Sequence, residues 1–153
     1  MKTFFLSFMC IIMLTGCNDD DSSPAPFEPV TITPILISKN YLSGGENIPQ
    51  QSTVISNQTD WNNLITQMNS INNVSNNFTE INIDFTNYII LLVLDRVRPT
   101  TSYTINIVSI IEYEENIIVD FTATGDPLNG FTGIRQPYHI VKIRRSSKPV
   151  IFQ

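Results

Sequence analysis

The segment "NYIILLVLD", Asn87 to Asp95, leaves this chain few choices. Its apolar residues run unbroken over the length of one strand, and successive side chains of a strand point to opposite faces. A strand that is apolar on both faces has to be covered on both, so it belongs at the centre of the protein. The wider composition favours strands as well: 23 isoleucines and 16 asparagines stand against two alanines, Ala25 and Ala123. β-Branched residues suit a pleated sheet, and a shortage of alanine disfavours helix.

Further strands are expected at "TPILIS" (33–38) and "QSTVIS" (51–56), separated by the turn-rich "YLSGGENIP" with Gly44-Gly45. "SYTINIVSIIEY" (102–113) and "NIIVDFTATG" (116–125) flank Glu114-Glu115 as a hairpin, and "PYHIVKI" (137–143) and "PVIF" (149–152) close the chain. One helix is predicted over Thr59–Ser70, where Trp61, Leu64, Ile65 and Met68 fall on one face of a 3.6-residue repeat. Thr59 or Asp60 is expected to cap it. The order has no strand–helix alternation, which predicts a mainly β (α+β) fold: an antiparallel sheet or sandwich with one helix packed on it near residues 59–69. Residues 30–153 suffice for one domain and are too few for two.

The amino end sets the expected address. Met1-Lys2 gives one positive charge, and "TFFLSFMCIIML" (3–14) is apolar but shorter than the ~20 residues of a spanning helix. It reads as a signal peptide, residues 1–16. Leu14-Thr15-Gly16-Cys17 is similar to the lipobox of bacterial lipoproteins, in which the chain is cut before the cysteine and its thiol takes the lipid. The resemblance implies that Cys17 carries acyl chains such as palmitate, each buried methylene adding about 0.8 kcal/mol of membrane affinity. Cys10 would leave with the signal, so the mature chain would hold no thiol for a disulfide, a metal or catalysis.

"NDDDSSPAPFEP" (18–29) is acidic, then Ser- and Pro-rich, and without apolar periodicity; residues 17–29 are expected to form a solvated tether. Asp19, Asp20 and Asp21 resemble the export signal that places some lipoproteins on the outer face of the outer membrane. A metal site there is not expected, because nothing rigid would fix the carboxylates. Residues 30–153 carry eight basic against ten acidic side chains, so the domain is nearly neutral. No acidic residue follows Asp126, whereas Arg135, Lys142, Arg144, Arg145 and Lys148 do. Basic side chains on the wet face of a terminal strand explain these better than a patch for an acidic partner or lipid head groups. No nucleic-acid motif is present.

From "FTNYIILLVLDRVRPTTSYTINIVSI" through "NIIVDFTATGDPLNG" to "RQPYHIVKIRRSSKPVIF", residues 85–152, the chain resembles the C-terminal domain of the PrcB family, named for a lipoprotein subunit of a bacterial surface protease complex. "PYHIVKI" is the strongest element. Thr101 and Ser102 stand where the family has two glycines in an R-P-T-G-G-Y-like turn. The resemblance implies a cell-envelope accessory protein associated with a protease or another envelope protein. It places the partner-binding loop at Arg98, Pro99, Thr100, Thr101, Ser102 and Tyr103.

"RPTTSY" (98–103) is also similar to the N-P-T-T-G-Y loop of chagasin-like cysteine-protease inhibitors, and "RQPY" (135–138) to their R-P-W element. That likeness implies a second loop at Gln136, Pro137 and Tyr138, with "TGDPLNGFTG" (124–133) as a third. A surface ligand- or carbohydrate-binding module is a further class that the address allows. Without the resemblances, Pro99 and the hydroxyl residues read as an ordinary turn.

An enzyme is the least expected class, and no catalytic residue, metal ligand or cofactor is assigned. His139 is the one histidine, on an apolar strand with no spaced Ser, Cys or acid as partner, and reads as structural. Glu112, Glu114 and Glu115 read as a solvated hairpin end. There is no phosphate-cradling glycine loop and no zinc spacing.

Overall fold

The structure is a computed structural model and describes residues 25–153. The signal segment, Cys17, the three aspartates and most of the tether lie outside the described residues. The elements are β1 (Val30–Thr31), β2 (Ile35–Leu42), β3 (Gln51–Ile55), α1 (Gln58–Met68), β4 (Tyr88–Leu94), β5 (Arg98–Thr100), β6 (Thr104–Glu112), β7 (Ile117–Thr124), β8 (Thr132–Arg144) and β9 (Val150–Phe152). The fold is mainly β with a single α-helix among the described residues. No described helix is long and apolar enough to cross a membrane.

The strands form two sheets, β2-β8-β4-β3 and β1-β6-β7-β9, with β5 added on the first half of β8. Strand β4 lies inside the first sheet, hydrogen-bonded to β3 and β8, and its alternation divides the core in two. Ile90, Leu92 and Leu94 point to one face and pack with Trp61, Leu64 and Met68 of α1, together with Tyr138 and Ile140. Ile89 and Leu91 point to the other face and meet Ile110, Ile117 and Val119 of the second sheet, with Val141 and Ile143. The molecule is therefore layered as helix, sheet, sheet. The unbroken apolar run of β4 is explained by the two layers that cover it, each buried side chain contributing about 1.5–3 kcal/mol.

The helix begins one residue earlier than predicted, and neither Thr59 nor Asp60 caps it. Asn57 does: its Oδ1 accepts from the Asp60 N–H at 2.9 Å, while its Nδ2 donates to Asp60 Oδ2 at 2.7 Å. Thr59 and Asp60 lie inside the first turn, where the Asp60 carboxylate complements the positive end of the helix dipole. At the other end Asn69 donates to Ser75 Oγ and accepts from the Ser75 N–H, tying α1 to a short 3-10 turn, Val74–Asn77. Trp61 stacks on Phe78 at 5.7 Å between centroids and donates from Nε1 to the Ile81 carbonyl at 2.8 Å.

The sheets are mainly antiparallel, as expected, with a parallel pair at the end of the chain. After β8 the short link 145–149 crosses to the other sheet instead of turning back, so β9 meets β7 in parallel. Strands β1 and β5 are additions to the predicted set. The hairpin at Glu114-Glu115 is present, closed by the Tyr113 N–H on the Asn116 carbonyl, with both glutamates exposed.

The basic end is a wet strand face only at Arg144, which is exposed at the close of β8. Lys142 is buried, paired with Glu80 and lying over the Tyr88 ring at 4.5 Å. Lys148 binds Glu112 and the Tyr113 carbonyl, each at 2.7 Å, and Arg145 Nη1 donates to the carbonyls of Ser56 and Phe85. Those cations fasten loops to strands. Lys142, in step with Tyr138 and Ile140 along β8, lies on the helix side, where a buried amine needs its carboxylate partner.

Candidate functional site

Strands β6 and β7 end at Thr104 and Thr124, and the links that leave them meet at one end of the sandwich. Arg98, Pro99 and Thr100 are extended as β5, paired to β8 with Arg98 opposite Arg135 and Thr100 opposite Thr132. Two arginines facing each other across a ladder repel. Each charge has its own outlet. Arg98 donates from Nε and Nη2 to Asp95 at 2.7 and 3.0 Å, a two-pronged pair with a carboxylate that is only 1 % exposed, and its guanidinium lies over the Tyr103 ring. Arg135 lies over the Tyr41 ring at 3.7 Å.

Thr101 and Ser102 then form the turn with no positive φ; Asn47 alone among the described non-glycine residues has one. Hydroxyl groups hold the turn. The Thr101 N–H donates to the Phe131 carbonyl at 3.1 Å, and Thr101 Oγ1 accepts from the Phe131 N–H at 3.0 Å. Ser102 Oγ donates to the Asp126 carbonyl at 2.7 Å and contacts Thr100 Oγ1 at 3.0 Å. Thr101 and Ser102 are thus the residues that lace this turn to the 125–131 loop. Gly125, at φ +154°, lets that loop leave β7, since a Cβ would sit 2.5 Å from Tyr103 Cδ1.

The facing loop is itself ordered by Asp126, which accepts from the Leu128 N–H and from Asn129 Nδ2 at 2.8 and 2.6 Å. This turn displays Leu128 at 92 % and Phe131 at 86 % exposure, with Ile134 at 65 % just beyond. Ile134 and the exposed Val97 close over Gly44, whose φ of +87° and missing Cβ admit Ile134 Cγ2 at 2.7 Å and Val97 Cγ1 at 3.0 Å from the Cβ position. The Gly44 turn is fixed by Glu46, which accepts from Ser43 N–H, Ser43 Oγ and Gly44 N–H at 2.8–3.0 Å. Burial alone would raise this carboxyl, but those hydrogen bonds outweigh it and hold it below the usual carboxylate range.

The structure thus laces Thr100–Ser102 to residues 125–131, and sets Tyr103 in one pocket with Tyr41, Pro137 and Tyr138. Gln136, Pro137 and Tyr138 are not a loop at all: β8 starts at Thr132, and all three are buried. Gln136 Nε2 bridges the carbonyls of Ile48 and Asp95, and Tyr138 packs edge-on to Phe78 with its hydroxyl 3.2 Å from Ser38 Oγ. Burial pushes the Tyr138 phenol up. Sequence reasoning did not see Asp95, whose position three residues before Arg98 was the available signal, or the pairing of Glu46 with the Gly44 turn.

His139 lies between the sheets, where its Nδ1 accepts from the Ile107 N–H at 2.9 Å beside a bulge in β6. Burial, then the charge of Lys39, lowers its pKa from 6.5 to about 4, so the ring is a neutral acceptor at pH 7. Among the described residues no group of three His, Cys, Asp or Glu side chains is arranged to hold a metal ion. Comparison of the chain with family models, curated proteins and solved structures finds no match.

Proposed function

We propose that the chain is an accessory protein of the bacterial cell envelope, held to the outer membrane by acyl chains on Cys17, that associates with a secreted protease or another envelope protein. The PrcB-like segments and the lipobox support the class and the address. The observation that carries the docking role is the ordered, outward display of Leu128 and Phe131 beside the Arg98–Tyr103 segment. β1 pairs with the far end of β6, at Glu112, so the tether enters some nine residues, roughly 30 Å, from the loop end. An anchor at that end leaves the loops facing away from the bilayer. Affinity capture from membranes should recover a protease or other envelope protein; a partner-free monomer would overturn the reading.

A second reading is inhibition of a papain-like protease. It is supported by the meeting of two loops, 100–103 and 125–131, at one end of a β-sandwich. Tight inhibition that is abolished by altering Thr100 and Thr101 would establish it, and unimpeded hydrolysis would remove it.

A further inference from the structure

In the basic segment at the end of β8, Lys142, Arg145 and Lys148 are tied into the fold and Arg144 is exposed. The loop end differs. Arg96 is exposed and adjoins Val97; Arg135 follows Ile134 on the opposite face of β8 and rests on the exposed Tyr41 ring; Lys39 is exposed two residues away along β2. None of the three has a carboxylate partner among the described residues. Of the nearby acids only Asp95 is paired with a cation, so four basic side chains, Lys39, Arg96, Arg98 and Arg135, stand against three carboxylates. Asp95 is buried against Arg98, Glu46 is buried under the Gly44 turn, and Asp126 folds onto Leu128 and Asn129. The end of the molecule therefore presents Leu128, Phe131, Ile134 and Val97 with a small local excess of positive charge, although the domain as a whole is slightly negative.

Apolar side chains on a hydrogen-bonded turn gain nothing from the protein's own core, and cations beside them steer approach rather than stabilise the fold. We infer that this end docks an acidic, apolar segment of a protein partner: aliphatic or aromatic side chains seat on Leu128, Phe131 and Ile134, and flanking carboxylates meet Arg96 and Arg135. The inference rests on the docking reading above and gives the partner its chemistry. A protein segment fits better than a lipid surface, because the tether of the lipidated chain would enter at the opposite end of β6.

The test uses the full chain in detergent and short arrayed peptides in which a Leu-Phe pair is flanked by Asp, Ser or Lys. Retention should follow Asp over Ser over Lys and the preference should shrink as salt rises. Leu128→Ser with Phe131→Ser should weaken retention of the Asp-flanked peptides by roughly tenfold or more, as expected for removal of anchor side chains. Both side chains are exposed, so the melting temperature should stay unchanged and separate lost docking from lost folding. Arg96→Glu with Arg135→Glu should shift the preference toward Lys flanks. Equal retention of all flanks, or retention indifferent to the Phe131 change, would overturn the inference. Binding to phosphatidylglycerol vesicles through Leu128 and Phe131, with no peptide preference, would overturn it in favour of a lipid surface. Membrane capture of a protein that persists in the Ser double variant would overturn the surface while leaving the accessory function standing. Acidic-peptide preference without any captured envelope protein would keep the surface chemistry and remove the accessory function.

Discussion

At the scale of single residues, His139 shows how a polar side chain becomes part of a β-sandwich. Its Nδ1 accepts the backbone N–H that the bulge in β6 leaves available, so protonation would remove an acceptor and place a charge between the sheets near Lys39. The folded-state pKa lies below the unfolded value; the stabilising contribution is therefore complete above pH 6.5 and is lost as pH falls from 6.5 toward about 4. The ring is partly exposed, and after allowance for solvent screening the loss should be about 1–2 kcal/mol. Thermal melts of the wild type and of His139→Gln, which keeps an acceptor and cannot titrate, should converge over that window; parallel curves would sink this account. Gly44 makes a separate demand. Alanine there would be strained at φ +87° and would strike Ile134 Cγ2 at 2.7 Å, so Gly44→Ala should cost about 1–2 kcal/mol, read from denaturant midpoints, and disturb Val97 and Ile134.

At the scale of elements, α1 is held by its cap and by one face. Asn57→Ala removes the acceptor for the Asp60 N–H and should lower stability by about 0.5–2 kcal/mol. Trp61→Ala should cost about 3–5 kcal/mol, because a fully buried ring, its stack on Phe78 and its bond to the Ile81 carbonyl go together. Urea titrations rank the two, and a Trp61 variant no weaker than the Asn57 variant would contradict this packing. The same helix shows what a sequence makes legible. Its apolar stripe is a local pattern with a period and survives reading one residue at a time. The cap is a competition among Asn57, Thr59 and Asp60, and only the chain's entry direction from β3 decides it. The apolar run of β4 announced cover on both faces, but not that a helix would lie on one side and a second sheet on the other. Pro137 and Tyr138 open the expected strand 137–143 and also fall in the loop implied by the R-P-W likeness; β8 carries them through its interior, paired to β2 and β4, so the strand pattern holds and the loop does not. The candidate site was half legible: "RPTTSY" marks a turn, whereas its union with residues 125–131 depends on side-chain hydroxyls finding partners some 24 and 30 residues away.

At the scale of the whole molecule, the two cores share their central strands. Alternate residues of β4 and of β8 serve the helix side and the sheet side, so neither outer layer can lose its packing without loosening the strands that the other needs. Single-domain cooperativity follows from this sharing. Trp61 is the one tryptophan and reports only the helix-side core, while the far-ultraviolet circular dichroism is dominated by both sheets. The two signals should give superimposable thermal transitions. Val119→Ala, placed in the sheet-side core and outside the cluster around α1, should lower the tryptophan-detected midpoint as much as the dichroism-detected one. A tryptophan transition left unmoved by that change would mean that helix and second sheet melt independently, and that β4 does not couple the layers it separates.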